Sequence, residues 1–247
     1  RSVAARERVV LHLPEGVERR DERRAPVLPR GTPHPARQPV VAVDDVVGAA
    51  LGPRGGDHAA EELALALQHG VTVVVDNWRD LELLAELCRG RTEAVPLLLR
   101  FTPGIECHTH EYIRTGHLDS KFGFDPDQLE AVLRHLAGCA WARVEGLHAH
   151  IGSQIFELEP HRDLAAVMAD ALALARSLGH PTQALNVGGG LGIRYVAGDD
   201  PPTIHRWVET VAGAVASACR ARNLELPRLL CEPGRSLIGT AGLTLYS

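Results

Sequence analysis

Lysine is almost absent from this chain. Lysine and arginine together number 26 in 247 residues, and Lys121 is the one lysine among them. Any mechanism that needs a side-chain amine therefore has one candidate within these residues. A basic excess is missing too. The formal net charge of −5 gives no electrostatic attraction to nucleic acid or to an anionic membrane. No apolar run approaches the roughly 18 residues needed to cross a bilayer. The opening RSVAARERVV lacks the apolar stretch of a secretory signal. The five cysteines are odd in number, scattered and without a CxxC pair. That pattern argues against a disulfide framework and for a reducing compartment, the cytoplasm.

What is present divides the chain in three. Residues 1–58 are rich in arginine and proline, as in EGVERRDERRAPVLPRGTPHPARQP, with no sustained period of 3.6 or 2.0. Such a segment buries too little apolar surface to order itself; only VVLHL and VVAVDDVVGAAL offer short strands or part of a helix. From residue 59 the pattern becomes regular. AAEELALALQHG predicts an amphipathic helix ending at Gly70. VTVVVDN predicts a strand, with Asn77 capping the helix WRDLELLAELCRG. AVPLLLRFTPG is a strand closed by a Pro-Gly turn. In FDPDQLEAVLRHLAG, Asp125 is the predicted N-cap, Pro126 the first helical residue and Gln128 the partner of a capping box. Strand RVEGLHAHIG, helix EPHRDLAAVMADALALARSLG, strand QALNVGGG, helix IHRWVETVAGAVASACRARN and strand RLLCEPG follow.

Apolar strands alternating with long helices predict parallel βα units with helices on the outside. About five strands fit between residues 71 and 233, and nothing suggests a reversal of strand order. The predicted fold class is α/β, a partial (β/α)8 TIM-type barrel.

In such barrels the functional residues sit where strands end. Here the strand ends carry FTPGIECHTH, HAHIGSQ, NVGGGLG and CEPGR. The glycines Gly188, Gly189 and Gly190 either present backbone N–H groups to an anion or make a turn that needs positive φ. Arg235, in EPGR beside Glu232 and Gly234, suits a phosphate or carboxylate or else a surface ion pair. Ser153 offers a hydroxyl or is a plain turn residue. Two HxH pairs, His108 with His110 and His148 with His150, open a different class. Residues i and i+2 of a strand share a face, so each pair could ligate one metal of a barrel hydrolase, with Glu232 and Lys121 as imperfect further ligands.

Four of these stretches together carry a family resemblance: CHTHEYIRTGHLDSKFGF (107–124), GLHAHIGSQI (146–155), LNVGGGLGIRY (185–195) and EPGRSLIGTAG (232–242). The chain resembles the diaminopimelate decarboxylases, in the alanine-racemase-like, fold-type III family of pyridoxal 5'-phosphate enzymes. The resemblance covers about residues 59–247. It implies a pyridoxal-phosphate-binding partial barrel over 59–238 and the start of a C-terminal β domain at 239–247. It implies decarboxylation of meso-2,6-diaminopimelate to L-lysine, in lysine biosynthesis, by a cytoplasmic homodimer.

The resemblance also implies residue roles. Gly188, Gly189 and Gly190 would cradle the cofactor phosphate, helped by Ser153, Gly234 and Arg235. Arg235 would reach a substrate carboxylate as well. Glu232 would pair with the pyridine nitrogen, and His150 would stack on the ring. The family's Schiff-base lysine lies on the first barrel strand, which should fall within 1–58, and no lysine occurs there. Lys121, in SKFGF, is not at that position. The expectations are therefore that 1–58 is translated out of frame, that the β domain is cut short, and that catalysis is impaired. A noncatalytic, cofactor-binding fragment is the main alternative, ahead of the HxH metal hydrolase.

Overall fold

The computed structural model describes residues 10–11, 41–42, 60–105 and 122–242. The remainder of the expected N-terminal segment, His108, His110, Lys121 and residues 243–247 lie outside the described residues.

Two short strands, β1 (Val10–Leu11) and β2 (Val41–Ala42), pair antiparallel. The regular βα series then runs α1 (Ala60–Gln68), β3 (Val73–Val75), α2 (Trp78–Leu87), β4 (Val95–Arg100), α3 (Leu129–Ala137) and β5 (Ala142–His148). It continues with α4 (Glu159–Ser177), β6 (Ala184–Asn186), α5 (Ile204–Ala221), β7 (Arg228–Leu230) and the short α6 (Arg235–Ile238). The sheet order is β1-β2-β7-β6-β5-β4-β3. Strands β3 to β7 are all parallel and adjacent in chain order. A doubly wound open sheet would reverse its order part-way; consecutive order is that of a barrel wall. The fold is α/β, the wall of a TIM-type barrel.

Local chemistry sets the element ends. Asn77 is extended and its side chain accepts from the Asp80 amide, capping α2 as its sequence predicts. Thr203 caps α5 by accepting from the Arg206 amide. Gly70 and Gly179 follow α1 and α4 at φ 64° and 87°, the left-handed conformation in which helices commonly stop. At α3 the predicted start is displaced. Gln128 reaches back to the Asp125 amide, the side-chain half of a capping box. However, Asp125 to Gln128 form a single turn, with the Gln128 amide on the Asp125 carbonyl, and the α-helix begins at Leu129.

Two faces of the sheet separate. One buries Val75, Leu99, Leu147, Leu185 and Leu229 against the helices, each no more than 3% exposed. Burying a side chain of this size contributes roughly 1.5–3 kcal/mol. The other face carries Val74, Leu98, Ala184 and Leu230, a smaller apolar cluster on the barrel's inner side. A register shift in β4–β5 passes over Glu145, so that Leu97 faces Val144 and Leu98 faces Gly146. A Cβ on Gly146 would lie 2.5 Å from Leu98 Cδ2 and 2.7 Å from the Ala184 carbonyl, so the close approach there requires glycine.

Candidate cofactor site

One step toward the C-terminal ends of the strands, the inner face turns polar. Arg100, His148 and Asn186 are register partners across β4, β5 and β6, and each is the last residue of its strand. Asp76 follows β3 directly, next to Arg100, and Glu232 stands two residues beyond β7. Strand ends thus bring five polar side chains from five strands to one layer. Asp76 and Arg100 belong to none of the four stretches that carry the resemblance, and Asn186 lies in one of them, LNVGGGLGIRY, without being singled out there. The signal they do carry is local: each ends an apolar run, as in VVVD, LLLR and ALN.

Glu232 is the focus of the layer. His148 Nε2 lies 3.2 Å from Glu232 Oε1, and Asn186 Nδ2 donates to the same oxygen at 2.9 Å. Burial alone would raise the Glu232 pKa, but the His148 and Asn186 hydrogen bonds outweigh it and hold the carboxyl at about 2. The side chain still keeps 38% exposure. Oε1 takes both contacts, and Oε2 has no partner among the described residues. The result is an ionised carboxylate with one oxygen anchored and one on offer.

At the other side of the layer, Arg100 Nη1 lies 3.3 Å from Asp76 Oδ1, and the guanidinium stacks 4.7 Å over the Phe122 ring. Burial raises the Asp76 pKa and the Arg100 charge opposes it. The Asp76 amide in turn donates to Asp80, at the start of α2.

The loops above β5, β6 and β7 are stapled together. The Ile155 amide bonds the Gly190 carbonyl, the Gly192 amide bonds Ile155, and the Glu232 amide bonds the Gly188 carbonyl. Gln154 clamps Ile193 from both sides, accepting from its amide at 3.1 Å and donating to its carbonyl at 2.6 Å. Within this body Gly188 and Gly190 are required by both backbone conformation and close packing, and Gly189 by close packing alone. Gly188 and Gly190 have φ of 66° and 107°. A Cβ on Gly188 would sit 2.4 Å from His150 Nδ1, and one on Gly189 would sit 2.2 Å from the Glu232 carbonyl.

The turn reading of the triple glycine accounts for its backbone, and two of its three amides are already engaged within the protein. The Gly188 amide donates to Asn186 Oδ1 at 2.9 Å, and the Gly189 amide donates to His150 Nδ1 at 3.2 Å. The amides of Gly190 and Leu191 have no partner among the described residues. Burial, and then the charges of His148 and Arg100, push His150 down to about 4, so its ring is neutral at physiological pH.

Of the residues singled out by sequence, His150, Gly188, Gly189, Gly190 and Glu232 are brought into contact. Ser153 lies half-buried in the same stapled loop. Gly234 and Arg235 open α6. The Arg235 side chain turns to Tyr195, donating from Nη1 to the hydroxyl at 2.8 Å, while its buried Nε has no partner among the described residues. His148 and His150 do not form a metal pair: His148 Nε2 meets Glu232, and His150 Nδ1 is engaged by Gly189. Among the described residues no group of three or more His, Cys, Asp or Glu could hold a metal ion. Nor is any described helix long and apolar enough to cross a membrane.

Residues 54–239 match the pyridoxal binding domain of the pyridoxal-dependent decarboxylases, and the chain belongs to that family. Among curated relatives, the diaminopimelate decarboxylase of Synechocystis is 51% identical over 192 residues, which cover 78% of this chain and 41% of that protein. The Bacillus subtilis diaminopimelate decarboxylase is 40% identical over 197 residues, covering 78% and 45%. Among solved structures, the Helicobacter pylori diaminopimelate decarboxylase, complexed with L-lysine, superposes with a TM-score of 0.65 at 26% identity, covering 72% of this chain and 44% of that one. The enzyme from M. jannaschii gives 0.64 at 26% identity, covering 76% and 44%. The chain spans less than half the length of the relatives it matches.

Proposed function

We propose that this chain is the pyridoxal-phosphate-binding part of a diaminopimelate decarboxylase, a lyase of lysine biosynthesis that acts on meso-2,6-diaminopimelate and works as a homodimer in the cytoplasm. The observation that carries this reading is Glu232: a carboxylate kept ionised by two donors on one oxygen, with the other oxygen open beside a glycine loop.

The residues fit the cofactor. Glu232 Oε2 suits a protonated ring nitrogen. The neutral His150 ring suits a stacking face. The loop at Gly190 and Leu191 has amides to give, and no Cβ blocks an approaching phosphate. Ser153 and the Gly234–Arg235 turn stand at the same strand ends to complete the phosphate contacts, and the Arg235 guanidinium, once released from Tyr195, suits a substrate carboxylate. When bound, pyridoxal phosphate supplies an electron sink for the pair left behind as carbon dioxide departs. This chain's own contribution is to hold a proton at the ring nitrogen through Glu232 and to orient the ring on His150.

No described residue is a lysine, and Lys121 is the chain's single amine-bearing side chain. Lys121 does not stand at the family's Schiff-base position, and on that resemblance binding is noncovalent and catalysis weak, because the family chemistry depends on a lysine nucleophile and proton carrier.

Titrating the purified chain with pyridoxal phosphate tests the reading. Saturable binding that inorganic phosphate competes away is expected. Borohydride treatment followed by mass spectrometry should then leave the chain without a cofactor adduct, and carbon dioxide release from meso-diaminopimelate should be slow. Binding that phosphate does not weaken, or no binding at all, would overturn it.

A further inference from the structure

Asn186 is fully buried and spans two parts of the site with one planar group. Its Nδ2 donates to Glu232 Oε1 at 2.9 Å, and its Oδ1 accepts from the Gly188 amide at 2.9 Å. The orientation of the carboxamide is therefore dictated. The nitrogen must face the carboxylate and the oxygen must face the loop. An aspartate of the same shape could serve the loop but not the carboxylate; an alanine could serve neither. His148, 4% exposed, approaches the same Oε1 at 3.2 Å, and its buried Nδ1 has no partner among the described residues. Its ring proton is thus on Nε2, aimed at Glu232. Arg100 stands in the same layer but is engaged by Asp76, so His148 and Asn186 are the two side chains that support Glu232.

We propose that Asn186 is a positioning residue that locks the Glu232 carboxylate and the Gly188 turn into one fixed relation, with His148 as second support, so that Oε2 is the oxygen left to meet the cofactor ring nitrogen. This rests on the cofactor reading above and goes beyond it in assigning the selection of that oxygen to two residues outside the ring and phosphate contacts. Other ionisable groups near Glu232 are His150 and the Cys231 thiol, which its charge pushes further up.

The test has two arms, both on the 247-residue chain. In the first, without ligand, the Glu232 carboxyl carbon is followed by NMR against pH, with Glu232→Gln as the blank. Asn186→Asp should raise the carboxyl titration midpoint by about one unit or more, since a donor is replaced by a second carboxylate. An unchanged midpoint would overturn the proposal.

In the second arm, affinity for pyridoxal phosphate is compared with that for its analogue carrying carbon in place of the ring nitrogen. Wild type should prefer the natural ring by about tenfold or more, the size of a charge-assisted hydrogen bond. Asn186→Asp should lose most of that preference while inorganic phosphate still competes as in wild type. Asn186→Ala should lose the preference and weaken phosphate as well. Intact binding with an unchanged preference in Asn186→Asp overturns the positioning role alone. Wild-type failure to bind pyridoxal phosphate overturns the cofactor reading, and the NMR arm still decides the role of Asn186. Should Asn186→Asp fail to fold, the pair His148→Gln and His148→Leu takes its place. The glutamine amide can still donate and should keep the preference; equal loss in both would overturn the proposal.

Discussion

Two layers of the same sheet, one residue apart along each strand, differ in almost every respect. Val75, Leu99, Leu147 and Leu185 face the helices and are buried among aliphatic neighbours. Their successors, Asp76, Arg100, His148 and Asn186, face the other way and form an ion pair or hydrogen bonds. The alternation of side chains along a strand puts the two sets on opposite faces of the sheet. Packing and polar chemistry are therefore separable here: the helix-facing layer holds the wall together, and the strand-end layer carries the ion pair and hydrogen bonds.

Substitutions should divide along that line. The largest stability effect belongs to the apolar layer. Leu99→Ala or Leu147→Ala should cost about 2–5 kcal/mol in urea unfolding, with the intrinsic ring-nitrogen preference of the folded fraction unchanged. A loss of that preference in parallel with stability would break the separation.

The next effect is pH dependence. His161 accepts from Trp207 Nε1 at 3.1 Å between α4 and α5, and burial pushes its pKa down to about 4. His150 is lowered to the same level. A lowered histidine pKa means that the unfolded chain takes up protons first. Stability should thus be full above pH 6.5 and fall as pH drops from 6.5 toward 4. Melting temperature against pH reads this directly. His161→Gln, which can keep the tryptophan bond, should remove about half of the slope, one proton of two. Glu232 acts with the opposite charge and lower down. Its contribution is present above the ordinary carboxylate value of 4.5 and is lost as pH falls toward about 2. Glu232→Gln should flatten that lower limb and leave the histidine limb in place.

The smallest effect lies in neither layer. Asn77→Ala removes the cap of α2 and should cost about 1 kcal/mol, with ligand affinity unaltered. An affinity change there would show that α2, through Asp80 and Asp76, also tunes the polar layer.

The separation also explains which features are legible in the sequence. Apolar runs, the Asn77 cap and the helix-stopping Gly70 and Gly179 are local, and they read directly. So do the glycine loop and the EPGR turn. Asp125 reads as a cap because its capping-box partner Gln128 is present, yet the chain spends those four residues on a turn and starts the helix at Leu129. Asp76, Arg100 and Asn186 are single polar residues after hydrophobic runs, and only strand register shows that they share a layer. Likewise, His148 and His150 are spaced as a metal pair, but Glu232 and Gly189, far away in the chain, decide what each ring nitrogen meets.

The stapling of the loops after β5, β6 and β7 limits how this scaffold can diversify. An insertion or deletion in any one of them would break backbone bonds belonging to the other two, so their lengths are tied to one another. The ends of β3 and β4 lie outside that seam, where Asp76 and Arg100 pair with each other, so the two can be exchanged together without unpicking it.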